Sequence, residues 1–481
     1  MRLLFITPLT DFSFRPMNTW APLGILSMAA SLKENGHVAA LFDRHALSAG
    51  HGFGRDRLNE AMVETVRAFR PDVIGFQTVS PIIHDTLECV ALLRPLFPGI
   101  MIAGGHHCTA LPEITLRRVD GLNGVVAGEG EHALVRFAGG EDPRRIPGFW
   151  WRAGDGEIHH TPPVQVKTLD DLPFPDYSLL DSRFYLRKNH RAIRGFFLSS
   201  FSLITSRGCL RRCEFCSESL TYGRGVRFHS PGYVAEGVRL LLARYPVDGL
   251  YFHDNDFLTD RRRAEDICEA FLPLRRDRPF RWGIQARADH IDGDIVQRLK
   301  KAGCSLIEIG VESSIQKNLD RIRKETSVAA AEEAIARCRE GGISVHAYMI
   351  TGLEGETVET LERELSWLKK VRPDSFSWSS LEMHPGTALY KRKGNRFFET
   401  EEWNRQTLRR YYGSSPLSSI PPAGKRRWIK TRYRPFQQRT YLRHLFMKNY
   451  PRNFFPILLM KAEREIRKWQ DRFKTRFRDN S

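Results

Sequence analysis

FSLITSRGCLRRCEFCSES, residues 201–219, runs from an apolar, strand-like stretch straight into three cysteines. Their spacing is C-x3-C-x2-C, at Cys209, Cys213 and Cys216. Three thiolates on one loop can ligate three irons of a cubane cluster and leave the fourth iron open. A single zinc ion would want a fourth ligand, and no nearby Cys or His stands at the usual spacing. The other five cysteines, Cys89, Cys108, Cys268, Cys304 and Cys338, are scattered. So sparse a set in 481 residues does not make a secreted disulfide scaffold and fits a reducing compartment with a metal site.

The strand ahead of the cysteines begins a series. DGLYFHD (248–254), FRWGIQAR (280–287), CSLIEIGV (304–311), SVHAYMITG (344–352) and DSFSWSSLEM (374–383) follow it. Helix-like segments such as PGYVAEGVRLLLARY (231–245) and TVETLERELSWLKKV (357–371) lie between them. Six βα units over 196–390 predict a partial (β/α)6 barrel of the TIM type, with the cysteine loop at its active end. Upstream, residues 1–150 show a second alternating series. RLLFITP (2–8), HVAALFD (37–43), DVIGFQTVS (72–80), IMIAGG (100–105) and GVVAGEGE (124–131) read as buried strands, and PLGILSMAASLKENG (22–36) as a helix. Near-continuous apolar strands separated by helices predict an α/β, Rossmann-like doubly wound parallel sheet. Ligands bind such sheets at the carboxyl ends of the strands, where Pro8–Thr10, Thr78–Ser80, Gly104–His106 and Gly128–Glu131 fall. Residues 151–195 read as a linker, with Pro173 and Pro175 forcing extended backbone.

Charge is concentrated at the far end. The formal net charge is +18, and from Lys425 to Ser481 there are 18 Lys and Arg against four acids, so +14 lies in the tail. The body is therefore close to neutral, which argues against a basic catalytic groove. Residues 391–481 read as a basic, aromatic-rich and mostly helical C-terminal region. Arg and Lys interleaved with Trp, Tyr and Phe suit an anionic membrane surface. The same composition could bind RNA or pack as a solvated basic helix pair on the barrel. FFPILLM (454–460) ranks membrane above nucleic acid. The apolar start is too short for a signal peptide and no run approaches about 20 apolar residues. A cytoplasmic protein, peripheral on the inner face of a membrane, is expected.

With these motifs in view, the segment over 196–390 resembles the radical S-adenosylmethionine (SAM) superfamily, including the aromatic Phe215 before the third cysteine. The resemblance implies a [4Fe–4S] cluster on Cys209, Cys213 and Cys216. It also implies SAM contacts from Phe215, from Asp254, Asn255 and Asp256 after the second strand, and from Arg287 after the third. Glu312 and Ser313 after the fourth strand and Gly352 after the fifth complete that set. The Asp-Asn-Asp run departs from the family's usual Gly-Gly-Glu form. Each residue has a structural alternative: Asp254 and Asp256 as helix N-caps, Arg287 in an ion pair, Glu312 holding a barrel loop.

The first 150 residues resemble the cobalamin-binding module found ahead of many radical SAM domains. That implies corrinoid contacts from Thr10, Thr78, Val79, Ser80, Gly104, Gly105, Gly128 and Glu129. Modules that supply a histidine to cobalt carry Asp-x-His-x-x-Gly after the first strand; TPLTDFSFRPMN (7–18) has none, and Asp43-Arg44-His45 follows the second strand instead. Cobalt without a protein histidine is expected.

Together the resemblances imply SAM cleavage to a 5′-deoxyadenosyl radical, hydrogen abstraction from an unactivated carbon, and methyl delivery from methylcobalamin. The expected function is a C-methyltransferase acting on a hydrophobic small molecule, as in the hopanoid methylases this architecture resembles. Its electron would come from a flavodoxin- or ferredoxin-type donor. The alternatives are a cobalamin-linked cyclase or oxidative enzyme, as in the anaerobic porphyrin ester cyclases, and a non-catalytic membrane- or RNA-binding protein on this fold.

Overall fold

A computed structural model describes residues 1–9, 20–154, 156–413 and 417–449. In the first sheet β1 (Arg2–Thr7), β2 (Val38–Asp43), β3 (Val73–Gln77), β4 (Ile100–Gly104) and β5 (Gly124–Val126) are all parallel. β6 (Phe149–Arg152) and β7 (Ile158–His160) join antiparallel, giving the order β2-β1-β3-β4-β5-β6-β7. The sheet thus runs to His160, beyond residue 150 where the linker was expected to begin. β1, β3, β4 and β5 are apolar and largely buried because helices cover both faces. Helix Leu23–Glu34 covers one face; it buries Ile25, Leu26, Ala29 and Leu32. Strand order reverses between β1 and β3, which places a crevice at the carboxyl ends of these strands.

The second sheet contains six parallel strands. It runs β15-β14-β13-β12-β11-β8, from β8 (Ser200–Leu203) through β11 (Gly249–Phe252), β12 (Arg281–Ala286), β13 (Cys304–Glu312) and β14 (Ser344–Thr351) to β15 (Ser375–Ser380). The strand expected over 201–207 is broken in two. After β8 the chain turns at Ile204–Thr205, and β9 (Ser206–Cys209) pairs antiparallel with β10 (Gly225–Phe228), a strand the periodicity did not mark. The cause is Asp254, whose carboxylate accepts the amides of Thr205 and Ser206 at 2.6 and 2.8 Å and draws the chain away from the sheet.

The C-terminal region completes the fold as far as it is described. β15 is an edge strand with unpaired backbone groups. The Trp378 amide donates to the Tyr433 hydroxyl at 2.9 Å, and the Phe376 carbonyl accepts from Gln437 at 3.1 Å. Trp428 and Tyr433 join the core beside Trp378. Lys425, the first residue of the basic tail, is buried against Glu356 at 2.8 Å. For 422–445 packing on the barrel accounts for the aromatic residues; 450–481, including FFPILLM, lies outside the described residues. No helix among the described residues is long and apolar enough to cross a membrane.

Candidate functional site

The cysteine loop leaves β9 through Gly208, whose φ is +99°. A Cβ at Gly208 would stand 2.2 Å from the Gly225 carbonyl oxygen, so only glycine lets β9 and β10 approach. The loop then folds back, with the Cys216 amide donating to the Cys213 carbonyl at 3.1 Å. Glu214 pins it: its amide donates to the Ile322 carbonyl, its own carbonyl accepts from Leu389, and its buried carboxylate meets Arg392 at 2.9 Å. Phe215 is partly buried against the cluster that contains Ile322, Leu353 and Leu389. Burial pushes the Cys216 thiol up to about 12, and Cys213 and Cys209 close by add to the rise. Cys213 is also raised, chiefly by burial, against the opposing charges of Lys324 and Arg287.

The side chains expected to meet SAM are mostly committed to partners within the protein. Asp254 is fully buried and also accepts from the Thr205 hydroxyl. Burial pushes its carboxyl up despite Arg263 and these hydrogen bonds. Asp256 takes the Arg287 amide at 3.2 Å and the His290 ring at 2.6 Å. Burial raises its carboxyl, but His290 and the remaining donors hold it below the ordinary carboxylate range. The Arg287 guanidinium donates to the carbonyls of Lys324 and Glu325 at 3.1 and 2.8 Å. Ser313 is fully buried on Glu364. Neither Asp254 nor Asp256 caps a helix, since the helix that follows is capped by Asp260, whereas Arg287 does make the alternative ion pair, with Asp289 at 3.0 Å.

Asn255, Glu312 and Gly352 stand differently. Asn255 donates to the Gly208 carbonyl and to Glu218, both at 3.2 Å, and faces the main cavity. Glu312 has φ +65°, in the left-handed region where a non-glycine residue is strained, and ion-pairs with partly buried Lys324 at 2.7 Å. Gly352 turns with φ +90°, its amide on Glu356 at 2.6 Å. Glu356 also holds Lys425 from the tail, so the C-terminal region braces this turn.

Across from this edge lies the carboxyl end of the first sheet. A cavity of about 440 Å³ separates the two. Gly104, Gly105, Gly128 and Glu129 line it, whereas Thr78, Val79 and Ser80 do not. Thr78 is buried and bonds the Gly104 carbonyl through both its amide and hydroxyl at 2.8 Å. Val79 packs into the core, and Ser80 bonds His107 at 2.9 Å. These three shape the edge from behind. Gly105 has φ +110°, and a Cβ there would lie 2.6 Å from the Thr78 carbonyl oxygen. Thr10 lies outside the described residues.

Residues 203–368 match the family model of the Radical SAM superfamily, and residues 15–138 match the B12 binding domain. The chain is a radical SAM enzyme with a B12-binding domain ahead of its barrel. It is 26% identical over 421 residues to an anaerobic magnesium-protoporphyrin IX monomethyl ester cyclase of Rubrivivax gelatinosus, across 84% of this chain and 72% of that one. It is 25% identical over 375 residues to the hopanoid C-3 methylase of Methylococcus capsulatus, across 76% and 67%. The solved structure of the radical SAM methyltransferase TsrM of Kitasatospora setae, with cobalamin and a [4Fe–4S] cluster bound, superposes with a TM-score of 0.65 at 18% identity, covering 81% of this chain and 73% of that one. At that identity the likeness is one of fold.

The residues of this radical SAM enzyme fit its cofactors, a [4Fe–4S] cluster, SAM and cobalamin. Among the described residues no three His, Cys, Asp or Glu side chains gather as ligands of a single ion. A cubane sets each thiolate on its own iron, so its ligands need not converge. A thiol at about 12 is protonated in neutral water, and cationic iron is what would ionise it. On the B12-binding side, glycines keep the cavity wide: a Cβ at Gly24, in its wall, would meet nothing within 4 Å. Sequence reasoning missed Trp20 and His253 in the wall, whose rings meet edge-to-face at 3.9 Å. Burial pushes the His253 ring down to about 3, so it stays neutral. Its place, one residue beyond β11 at the active end of the barrel, was the signal available.

Proposed function

We propose that this cobalamin-dependent radical SAM enzyme is a C-methyltransferase acting on an unactivated carbon of a hydrophobic small molecule. The observation that carries the reading is the single cavity shared by the two sheet edges. Methyl transfer from one cofactor to a carbon activated by another needs both to face one substrate, and this wall is continuous from Gly104 and Gly105 to His253 and Asn255. When bound, the cofactors supply the carbon radical and the methyl group, and the protein supplies position and dryness. Cys209, Cys213 and Cys216 hold the cluster. Asn255, Glu312, Gly352 and Phe215 border SAM, while Asp254, Asp256, Arg287 and Ser313 keep that border rigid. Gly104, Gly105 and Gly128 let the corrinoid lie against backbone, with Thr78, Val79 and Ser80 supporting them. Trp20, neutral His253 and the apolar wall exclude water and favour a hydrophobic substrate.

An electron donor of the flavodoxin or ferredoxin type and a contact between 450–481 and an anionic membrane surface belong to the same proposal. The deciding experiment is product analysis. Methyl transfer gives S-adenosylhomocysteine and 5′-deoxyadenosine in equal amounts, with label from methyl-deuterated SAM in the product. The similarity to the Rubrivivax cyclase over 84% of the chain favours a second reading, ring formation or oxidation without methyl transfer. Substrate turnover with 5′-deoxyadenosine alone would establish it.

A further inference from the structure

Arg207 and Arg227 face each other as direct cross-strand partners in the β9–β10 pair. Like charges in that position repel, and both side chains are largely buried, at 10% and 16% exposure. The counter-charge comes from the other domain. Glu129 bridges the two arginines, Oε1 to Arg207 at 2.8 Å and Oε2 to Arg227 at 2.7 Å. Arg207 reaches on to Glu131 at 2.6 Å, and Glu131 also accepts the Ser27 hydroxyl at 2.7 Å. Burial would lift the Glu131 carboxyl, but Arg207 outweighs it and holds the group below the ordinary carboxylate range. Two cations and two anions thus close a nearly dry, neutral network across the domain boundary.

Its location gives it a use. Arg207 is two residues before Cys209, at the root of the cluster loop, while Glu129 adjoins Gly128 on the cavity edge of the B12-binding domain. A buried ion network adds little net stability over apolar packing of the same volume, but breaking one of its pairs is strongly unfavourable, because it leaves an uncompensated buried charge. The forked guanidinium can satisfy two carboxylates at once, which a lysine cannot. We propose that Arg207, clamped by Glu129 and Glu131, is a positioning residue that sets the spacing between the cobalamin-bearing edge of the first sheet and the cluster-bearing loop. The proposal rests on the reading that Cys209, Cys213 and Cys216 hold the cluster and that the first domain holds cobalamin.

The test uses full-length enzyme loaded with both cofactors, its cobalt as cob(II)alamin and its cluster reduced. Pulsed electron paramagnetic resonance then reads the cobalt–cluster distance, beside iron and cobalamin contents. In Arg207→Met and Glu129→Gln both cofactors are expected to remain, while the distance distribution shifts or broadens. Several-fold more 5′-deoxyadenosine is expected per substrate consumed. Arg207→Lys should fall between Arg207→Met and wild type. An unchanged distance distribution in Arg207→Met and Glu129→Gln overturns the proposal alone. So does loss of both cofactors in these two variants, which would make the network a folding element. Wild-type protein that holds a cluster but no cobalamin overturns the first-domain reading and this proposal together, a distinct outcome visible before any variant is made.

Discussion

The two sheet edges that face the cavity are built in opposite ways. The carboxyl edge of the first sheet is made of small residues: Gly104, Gly105 and Gly128 present bare backbone to the cavity, and the polar groups behind them, Thr78 and Ser80, bond inward. The carboxyl edge of the second sheet is crowded with charge: Asp254, Asp256, Arg287 and Glu312 are all buried and all paired. One edge makes a space and the other makes a frame. A large flat cofactor needs backbone to approach, so side chains are removed; a three-cysteine loop needs a fixed path, so side chains are tied down. The difference is visible in the expected contacts themselves: those on the second sheet are charged side chains held by protein partners, and those on the first include bare backbone.

The largest effect tests how far the frame extends. Truncation after Gly424 removes Lys425, Trp428 and Tyr433, strips the β15 edge and takes the cation from Glu356 behind Gly352. Insoluble protein or loss of nearly all iron is expected, measured by iron content after anaerobic reconstitution. Truncation after Asn449 should leave iron content unchanged. Full iron in the shorter protein would detach the tail from the site.

Two single substitutions then cross the comparison. Asp254→Ala removes the acceptor of three hydrogen bonds and leaves two backbone amides and a hydroxyl unpaired in a buried site, each at a cost of about 1–3 kcal/mol. It should lose at least half of the iron while cobalamin content holds. Gly105→Ala meets the Thr78 carbonyl at 2.6 Å in a left-handed backbone, at a cost of about 1–3 kcal/mol. It should lose cobalamin while iron content holds. If either variant lost both cofactors equally, the two edges would not be separable.

Much of this was legible in the sequence, for physical reasons that also mark where it stops. The five parallel strands of the first sheet and the βα series of the barrel were readable because their apolar runs are buried on both faces. The break between β8 and β9 was not, since FSLITSR is uniformly strand-like and the turn is imposed by Asp254, 49 residues away. Arg207 in SRGC and Glu129 in GEGE were both visible as motifs, but their pairing spans 78 residues and leaves no local signature. The basic tail read as a surface because composition does not tell which face of a helix is covered; Lys425 and Trp428 lie on the covered one.

The last test of the frame concerns pH. Burial raises the Glu364 carboxyl from 4.5 to about 8, so it is protonated at neutral pH where it meets Ser313. Its folded value exceeds its unfolded one, so the native state binds more protons in between, and stability falls as pH rises from about 4.5 to about 8. Chemical denaturation at pH 5 and pH 8 should show a decline of up to a few kcal/mol in wild type. In Glu364→Gln that decline should be smaller, with the frame around Ser313 intact.

The central claim is that one chain holds a cluster on the framed edge and a corrinoid on the open edge of a single cavity. Anaerobic purification with cobalamin supplied, followed by desalting, iron analysis and a visible spectrum, tests it most directly. About four irons per chain together with a corrinoid band that survives desalting is the predicted result. Full iron content with no retained corrinoid band would contradict it.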